Sequence, residues 1–482
     1  MRTVVSAGEW RHAARALAAG EAELFGLWAS TGEVHMALRD PAAGLRILSV
    51  PVSEDRFPSV GRHHAAAQRL ERAIGDLYGY TAEGAADDRP WLDHGRWGVR
   101  HPLGEAEAAG PGEPYAFLPV KGESLHRVLV GPVHAGVIEP GHFRFTVQGE
   151  TVVRLEQRLG YTHKGVEGLM RGATLARAAG LAGRVSGDST VAYAWAFAQA
   201  VEAALGVAVP ERALWLRLVM AELERLANHL GDIGAICNDA GFAMMLAQCG
   251  ALRERVLRAS MAAFGHRMMR DRVVPGGVAA DLDAGGVAAI RGVLGEIGRR
   301  FPGLVRLYDE TASLQDRTVG AGRVAPALAA RFAAGGYVGR AAGRDFDARR
   351  DLVYPPYDRV ELAVPVLGEG DVDARVRVRI GEVEASLGLV AAALDRLPEG
   401  PLRAEVPVAT EGTEGLAVVE GFRGDILVWL RIGGDGLVER CHLRDPSWFQ
   451  WPLLEAVVEG NIIADFPLCN KSFNCAYSGH DL

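Results

Sequence analysis

His229 and Asp232, in the segment ANHLGDIG, have the spacing of an acid–base pair. Residues three apart lie on the same face of a helix, so the imidazole and the carboxylate are expected to lie close together. Imidazole titrates near physiological pH, and a carboxylate beside it fixes its tautomer and raises its pKa. Polar networks inside helical bundles have the same pattern, so the spacing leaves both a catalytic and a structural role open.

The five cysteines are scattered at positions 237, 249, 441, 469 and 475, and none forms a CxxC pair. Such thiols are typical of small apolar groups packed inside a protein from a reducing compartment. Cys469 and Cys475 lie six residues apart, but two thiols do not complete a metal cage. The sequence therefore predicts buried free thiols and no metal site, with a metal contact left open for Cys475 alone.

The composition excludes several classes of protein. Sixty acidic against 52 basic residues give a net charge of −8, which leaves no electrostatic footprint for nucleic acid. The chain has no run of about 18 apolar residues, no signal-peptide core and no nucleotide-binding motif. We therefore expect a cytoplasmic chain without a transmembrane segment. Its 482 residues favour a small domain plus a large one.

The first part of the chain alternates short apolar runs with one helix. The runs VHMALRD and LRILSVPV, with an amphipathic helix around His63–Tyr78, predict a small α/β module. The acidic, turn-rich segment GEAEAAGPGEPYAF predicts a linker. Next, RVLVGPV and FRFTVQGETVVRLEQRL, around a turn at Gly149 and Glu150, predict a β-hairpin.

Helical periodicity dominates the remainder. It predicts a central bundle of helices over Val191–Leu205, Arg212–Ile236, Ala251–Met269, Val287–Arg299 and Glu382–Leu397. Between Leu416 and Leu443, alternating strands meet at the turn GGDG, and a last helix around Pro452–Glu459 leads into the C-terminal strip, Asn461–Leu482. The predicted fold class is α+β, with a small N-terminal α/β domain, a large mainly helical domain and peripheral β-hairpins.

Several separated stretches resemble one superfamily. GPVHAGVIEPGHFRF, RLGYTHKGVEGLM, ELERLANHLGDIGAICNDAG and RDPSWFQWPLLEAVVEGNIIADFPL are similar to the large subunit of membrane-bound, energy-converting nickel–iron hydrogenases of the formate hydrogenlyase type. That subunit is in turn similar to the quinone-site subunit of respiratory complex I. Upstream, FPSVGRHHAAAQRLERAIGDLYGY and RWGVRHPL resemble the 30 kDa-type hydrophilic subunit of complex I. The resemblance implies fused domains over 1–105 and 126–482, joined by a linker over 106–125.

The resemblance implies that the metal site of the family is lost. In RVSGDSTVAY, Ser186 and Ser189 stand where hydrogenases carry the two cysteines of RxCGxCxxxH, and Tyr193 stands at the final histidine. In FNCAYSGHDL, Ala476 and Gly479 stand at the cysteines of DPCxxC. A serine hydroxyl stays protonated near neutral pH and is a poor ligand for nickel or iron. We therefore expect that no residue of this chain binds a metal.

Cys475 lies one residue out of register with the family's C-terminal cysteines. A residual one-thiol contact to a metal therefore requires a slip of one residue in the alignment. The chain stops at Leu482, directly after this motif, as complex I subunits do. We accordingly expect a protein that does not pass through nickel maturation.

Without a metal, the resemblance implies a cleft that receives quinone beside an iron–sulfur cluster of a neighbouring subunit. His134, Glu139 and His142 lie on the loop that corresponds to the histidine-bearing quinone loop of complex I. Asp239 matches the aspartate that pairs with the loop histidine. Reducing a quinone takes two electrons and two protons, so the cleft needs proton donors. We expect His142 and Asp239 to act as one unit.

Other matched residues have open roles. Gly187 stands where complex I places a tyrosine against the quinone, which leaves Tyr193, Ser186 and Ser189 as candidate cofactor contacts and Tyr193 also as a core residue. Glu167 matches the glutamate that carries protons from the hydrogenase metal. The sequence leaves open whether Glu167 is part of a proton path or only a buried, paired carboxylate.

One charged segment of the chain matches a signature of the family. The segment GRAAGRDFDARRD contains Arg340, Asp347, Arg349, Arg350 and Asp351. Such a signature more often braces a fold than performs chemistry. We therefore expect a structural role for these residues.

The resemblance also implies partners: an iron–sulfur small subunit, a ferredoxin-like subunit, a membrane anchor and ion-translocating subunits, on the cytoplasmic side of the inner membrane. Three functions stay open. The first is an electron-transfer subunit that acts on quinone or another acceptor and is active only within its complex. The second is an active nickel–iron hydrogenase, and the third is a non-catalytic scaffold. The missing thiols count against the second.

Overall fold

The computed structural model describes residues 2–40, 44–110 and 112–482, and it confirms the predicted α+β class. The N-terminal region contains β1 (Arg2–Val4), α1 (Ala7–Ala19), β2 (Glu23–Ser30), β3 (Glu33–Asp40), β4 (Gly44–Pro51), β5 (Arg56–Pro58), α2 (Gln68–Tyr78), β6 (Thr81–Glu83), β7 (Val99–Arg100) and β8 (Glu107–Ala108). Its main sheet has the order β1-β4-β3-β2, with β1 parallel to β4 and the other pairs antiparallel.

The helix α1 is not among the predicted elements. Its start is marked by a capping box, in which Ser6 Oγ accepts from the N–H of Glu9 and the Glu9 carboxylate accepts from the N–H of Ser6. Two of the four free N–H groups at a helix start are thereby satisfied. The motif S-x-x-E was the available sequence signal for this helix.

The predicted hairpin is confirmed as part of a three-stranded sheet of order β11-β10-β9. Its strands are β9 (Leu125–Val130), β10 (His142–Gln148) and β11 (Thr151–Arg158). At the tight turn, Gly149 has φ +59°, a conformation that costs glycine little because it has no Cβ. The longer loop between β9 and β10 carries His134 and Glu139.

The following region is helical. It contains α3 (Val166–Met170), α4 (Leu175–Ala182), α5 (Thr190–Leu205), α6 (Glu211–Asp239), α7 (Ala243–Phe264), the strand pair β12 (Val273–Val274) and β13 (Gly277–Val278), α8 (Ala284–Glu310), α9 (Ala312–Thr318), α10 (Pro326–Arg331), α11 (Gly336–Ala341), α12 (Ala348–Asp351) and α13 (Val372–Arg396). The five predicted bundle helices are confirmed as α5 to α8 and α13.

Helix α7 is displaced at both ends from its predicted bounds. It begins at Ala243 rather than Ala251 and ends at Phe264 rather than Met269. Gly265 follows with φ +71°, the left-handed conformation that terminates many helices. Across the described ranges, no helix is both long and apolar enough to cross a membrane.

The C-terminal part of the chain consists of three strands, which form a sheet of their own, followed by three helices. It contains β14 (Thr413–Gly421), β15 (Gly424–Ile432), β16 (Val438–Arg444), α14 (Ser447–Val458), α15 (Phe466–Phe473) and α16 (Tyr477–Asp481). The sheet of β14, β15 and β16 packs directly on α5. A Cβ at Gly415 on β14 would lie only 1.9 Å from the carbonyl oxygen of Ala200 on α5. The predicted last helix begins five residues early, at Ser447, and Pro452 lies inside it.

A set of buried charges, the arginine network, joins α6, α11, α12, α13 and β14. Its members are Arg225, Arg340, Arg349, Glu222, Asp347, Glu382 and Glu420. Arg340 donates to Glu382 at 2.6 Å and to Glu420 at 2.9 Å. Arg349 donates to Asp347 at 2.7 Å and to Glu222 at 3.1 Å. These contacts brace the helices against the sheet, as expected for the charged signature.

His229 and Asp232 do not form the predicted pair. His229 Nε2 lies 2.7 Å from Glu382 Oε2, beside the arginine network. The Asp232 carboxylate accepts from Arg379 at 3.3 Å and from Asn474 at 3.0 Å. Both residues lie on the predicted face of α6, but α13 and the C-terminal strip supply nearer partners for each side chain.

The N-terminal region packs closely against the rest of the chain. Arg440 and Arg444 on β16 donate to the carbonyl oxygens of Ala29 and Phe25 on β2. The predicted linker over 106–125 includes Pro111, which lies outside the described residues. Within that segment, Tyr115 accepts a hydrogen bond from Arg72 at 2.8 Å. Domain bounds at 105 and 126 stay a proposal.

We expect Arg340→Ala to lower the free energy of unfolding by about 3–5 kcal/mol, because it leaves buried carboxylates without their cation. The matched control is Arg300→Ala, whose guanidinium pairs with Glu296 at the surface, with an expected loss below about 1 kcal/mol. Urea unfolding of the purified protein measures both. Equal losses in the two variants would contradict a bracing role for the network.

Candidate functional site

The loop between β9 and β10 contacts the C-terminal strip. The carboxylate of Glu139 accepts a hydrogen bond from the N–H of Ser478 at 3.0 Å. His134 Nε2 lies 2.8 Å from the carbonyl oxygen of Gly141, so this histidine folds the loop onto itself. A Cβ at Gly141 would lie 2.6 Å from the ring of Tyr477, so the loop needs glycine there.

His142 lies at the start of β10, on the wall of an open cavity of about 1390 Å³. Its ring is half-buried and packs edge-on against Phe117. Burial lowers the pKa of His142, and the charge of Arg144 adds to this effect. The imidazole is therefore neutral at pH 7, and it opens onto a space large enough for a small molecule.

The two serines of the N-terminal motif both contact Asp188, which lies between them in sequence. Ser186 Oγ donates to Asp188 Oδ1 at 2.7 Å, and Ser189 Oγ lies 3.3 Å from the same oxygen. Arg423, from the turn before β15, forms a two-pronged ion pair with Asp188, at 2.8 Å and 2.5 Å. Burial opposes ionisation of Asp188, but Arg423 outweighs it and holds the pKa of this carboxyl well below its usual range.

Tyr193 lies inside the protein and is fully buried. Its hydroxyl donates to Asp445 Oδ2 at 2.6 Å, and the N–H of Ser447 donates to Asp445 Oδ1 at 2.8 Å. Burial and the neighbouring carboxylate both raise the pKa of Tyr193, so the hydroxyl keeps its proton. The hydroxyl is thus engaged within the protein, and the role of Tyr193 in holding a cofactor stays a prediction.

The two C-terminal positions matched to cysteines are closed by the same carboxylate and its neighbour. A Cβ at Gly479 would lie 2.4 Å from Asp445 Oδ2, so the carboxylate occupies the space of a side chain. The N–H of Ala476 donates to Ser447 Oγ at 2.9 Å. Cys475 is buried with its sulfur 3.9 Å from Gln450 Oε1, and burial raises the pKa of this thiol.

These side chains do not fit a nickel–iron group. Thiolates are the ligands that hold such metals, whereas the matched positions carry two hydroxyls, a methyl group and a glycine. The guanidinium of Arg423, which contacts Asp188 and Ser189, repels a cation. Within the part of the chain that the structure describes, no group of three or more His, Cys, Asp or Glu is arranged to hold a metal ion.

Glu167, on α3, is a buried and paired carboxylate. It lies 2.9 Å from Arg440 and 2.8 Å from His442 Nδ1, and it accepts from the N–H of Leu443. Burial opposes ionisation, but Arg440 and His442 prevail and lower the pKa of Glu167 to about 2. At pH 7 this group is an ionised acceptor, and a part for Glu167 in a proton path stays a prediction.

Asp239 does not contact His142. It lies exposed on the last turn of α6, where partial burial raises its pKa against the opposing charge of Lys471. Among the residues with described positions, no hydrogen bond or ion pair joins the two side chains. The joint action of His142 and Asp239 stays a prediction.

Three residues that organise the site were not predicted. Asp188 lies within RVSGDSTVAY, where its acidic type beside two serines was the available signal. Arg423 and Asp445 come from segments more than 230 residues further along the chain. No local spacing connects them with the motif.

Several known proteins are similar to this chain in sequence. The family model "Respiratory-chain NADH dehydrogenase, 49 Kd subunit" matches residues 239–414. Formate hydrogenlyase subunit 5 of Escherichia coli (strain K12) is 31% identical over 445 residues, which cover 90% of this chain and 78% of that protein. The carbon monoxide-induced hydrogenase of Rhodospirillum rubrum is 31% identical over 356 residues, which cover 73% of this chain and 98% of that protein.

A solved structure extends the similarity to the fold. A chain of the membrane-bound sulfane sulfur reductase, an archaeal respiratory membrane complex, superposes with a TM-score of 0.71 at 25% identity, over 76% of this chain and 100% of its own. The chain belongs to the family that includes formate hydrogenlyase subunit 5 and the 49 kDa subunit of respiratory NADH dehydrogenase. The resemblance to this superfamily that was read from the sequence is thereby confirmed.

We expect a side chain at position 479 to be rejected. Gly479→Ala should lower the free energy of unfolding by about 1–3 kcal/mol, because its Cβ meets the Asp445 carboxylate. The matched control is Gly187→Ala, where no atom lies within 4 Å of the new Cβ, with an expected change within about 0.5 kcal/mol. Urea unfolding of both variants tests this, and wild-type stability of Gly479→Ala would show that the space is open to a cysteine.

Proposed function

We propose that this chain is an electron-transfer subunit of a membrane-associated redox complex, and that its cleft works without nickel or iron. One observation carries the proposal. The position matched to the metal site is filled by an ion pair of Asp188 and Arg423, to which Ser186 and Ser189 are bonded. The pair is neutral as a whole and closed by hydrogen bonds, so it needs no bound cation.

The acceptor of electrons in this proposal is quinone, or another small molecule, held at the cavity beside His142. The electrons come from an iron–sulfur cluster in a neighbouring subunit. The position of His142 at the cavity wall supports this role, since an imidazole there can take up a proton and pass it on to a carbonyl oxygen of the quinone. His134 and Glu139 then hold the loop in place through Gly141 and Ser478.

Exposed apolar side chains on the same loop and on the adjoining strand β9 support a docking role. Leu129, Val133, Val137 and Ile138 are each more than half exposed. Apolar residues grouped at one surface mark contacts with other proteins. We assign this surface to the iron–sulfur small subunit, with the ferredoxin-like subunit, the membrane anchor and the ion-translocating subunits completing a complex on the cytoplasmic side of the membrane.

A scaffold without chemistry is the second candidate. It is favoured by the bonding of Tyr193, whose buried hydroxyl is taken up by Asp445, and by the pairing of Asp188 with Arg423. An active nickel–iron hydrogenase is disfavoured because the matched positions supply no thiolate. The two experiments below separate these three functions.

The purified complex is expected to contain no stoichiometric nickel and to show no hydrogen uptake or evolution. The physical reason is that thiolates supply most of the affinity for such a metal, and none is in register here. Elemental analysis and hydrogen-dependent dye reduction measure this, with a formate hydrogenlyase preparation as the positive control. About one nickel per chain would overturn the metal-free proposal.

His142→Ala should lower quinone-linked turnover by about 10- to 1000-fold, the range for a lost proton donor. Asp239→Asn should have a smaller effect, and the two factors should multiply in the double variant, because the side chains are not bonded to each other. The matched control is His12→Ala, an exposed histidine on α1, with wild-type turnover.

Assembly of the complex must be verified for each variant by co-purification of its subunits. Wild-type turnover of the assembled His142→Ala complex would favour the scaffold function over electron transfer to a quinone at His142. A double variant no worse than His142→Ala alone would show that the loop closes onto Asp239 in the complex.

A further inference from the structure

Arg158, the last residue of β11, is a buried cation without a carboxylate partner. It is 3% exposed, and its guanidinium donates to the carbonyl oxygen of Trp91 and, at 2.9 Å, to that of Asp93. Burial lowers the pKa of Arg158 to about 10, so the group is still charged at pH 7. A buried charge is costly unless an opposite charge compensates it. Among the described residues, no carboxylate oxygen lies within 4 Å of this guanidinium.

Guanidinium groups elsewhere in the protein usually meet a carboxylate. Arg89, on the wall of the same cavity of about 1390 Å³, lies 2.6 Å from Asp87 and 2.8 Å from Glu156. A second, mainly apolar cavity of about 410 Å³ lies between the N-terminal region and the large domain, and its Arg440 pairs with Glu167 at 2.9 Å. The missing counter-ion is therefore a feature of one place on the larger cavity.

Arg375 is another buried guanidinium without an ion pair. Its nitrogens donate to Ser472 Oγ at 2.9 Å and to the carbonyl oxygens of Gly370 at 2.7 Å and Gly322 at 3.0 Å. Arg375 lines neither cavity, whereas Arg158 lines the larger one. Only at Arg158 does a missing counter-ion coincide with a space that a ligand can enter.

The Arg158 guanidinium lies at the wall of this cavity, close to His142. Its carbon is 4.4 Å from the ring centroid of Tyr115, and its Nη2 contacts Asp93, both of which line the cavity. Arg158 is also the residue of β11 directly opposite His142 on β10, so the two side chains extend from the same face of the sheet. A charge inside the protein acts over several ångströms because the dielectric is low, so Arg158 can attract an anion without touching it.

Exposed side chains of the same wall can contact a ligand directly. Arg96 and Arg100 are exposed, and neither forms an ion pair with a described residue. Tyr161 is 38% exposed, and its ring centroid lies 4.5 Å from that of His94. Burial raises the pKa of Tyr161, so its hydroxyl keeps its proton and can donate a hydrogen bond.

The potential at Tyr161 is positive. Arg158 and Arg96 both oppose the rise in the pKa of Tyr161, and no described carboxylate acts on it to a comparable degree. The acidic side chains of the wall are engaged elsewhere or lie exposed. Asp76 accepts from the N–H groups of 91 and 92 at 2.7 and 2.6 Å, Asp93 accepts from the N–H of 95 at 2.6 Å, and Glu113 is exposed.

We propose that the cavity beside His142 takes an electron acceptor that carries a negatively charged group, bound by Arg96 and the Tyr161 hydroxyl and compensating the charge of Arg158. This inference rests on the proposed electron transfer at His142 and names the chemical class of the acceptor. A guanidinium suits the oxygens of a carboxylate, sulfonate or phosphate group, because its N–H donors are charged and lie in one plane.

The first test compares 2-methyl-1,4-naphthoquinone with 1,4-naphthoquinone-2-sulfonate on the purified complex. The two probes have the same rings, but only the second is charged. Isothermal titration at low salt should show the sulfonate binding at least about 10-fold more tightly, the effect of hydrogen bonds to a charged group, and salt should reduce this preference by screening. Equal affinities, tighter binding of the methyl compound, or no binding of either probe would overturn the proposal.

The second test uses variants of exposed side chains, whose replacement leaves the core intact. Arg96→Gln and Tyr161→Phe should each weaken binding of the sulfonate about 5- to 10-fold and leave binding of the methyl compound unchanged. The matched control is Arg62→Gln, which removes an exposed guanidinium that does not line the cavity, with unchanged affinity for both probes. Equal losses in Arg96→Gln and Arg62→Gln, or no loss in Arg96→Gln, would contradict the assignment.

Inorganic phosphate tests whether the anion belongs to the acceptor or is free. Phosphate should bind more weakly than the sulfonate and compete with it. Phosphate binding without binding of either quinone would overturn the assignment to an acceptor.

Turnover with the two quinones separates this inference from the proposed function. A binding preference for the sulfonate without turnover of either quinone would support the anion site and overturn electron transfer at His142. Turnover of both quinones with equal affinities would support electron transfer and overturn the charged acceptor.

Discussion

Compensation of buried charge is the constraint on which the rest of this structure depends. Seven charged side chains of the arginine network lie inside the protein, where a charge without a partner costs several kcal/mol. Each guanidinium must therefore meet carboxylates from more than one element, and α6, α11, α12, α13 and β14 are fixed relative to one another as a result. The helices and the sheet that carry the site are positioned by this requirement.

The same constraint shapes the cleft. The polar groups at the ends of α5 and α16 are satisfied by two closed contacts. Asp188 is compensated by Arg423, and Asp445 receives the hydroxyl of Tyr193 while excluding a side chain at position 479. In the function that we propose, chemistry has moved from this centre to the neighbouring loop, where His142 faces open space.

The packing of the N-terminal region against the rest of the chain has a structural consequence. Both cavities described here have one wall from residues before 118 and another from the large domain. Neither would exist in either part by itself. The contact is made by polar anchors, such as Arg440 and Arg444 on the backbone of β2, around an aromatic centre of Trp28, His442 and Trp429.

The sequence by itself determined the family, the α+β class, the hairpin around Gly149 and the five long helices, because periodicities of two and 3.6 residues are local properties. It also indicated that the charged signature with Arg340 and Arg349 has a structural role. Helix ends were less accurate, since they depend on caps such as Gly265. Ser186 and Ser189 were visible in the sequence, but their contacts with Asp188 and Arg423 were not.

Only the tertiary structure decided how the polar residues pair. Asp188 meets Arg423 across 235 residues of sequence and Tyr193 meets Asp445 across 252, and no local pattern relates such positions. His229 and Asp232 have the spacing of a pair, yet each side chain bonds to a charge from another element. A buried polar group takes the partner with the best geometry and complementary charge, and folding, rather than sequence distance, brings that partner near.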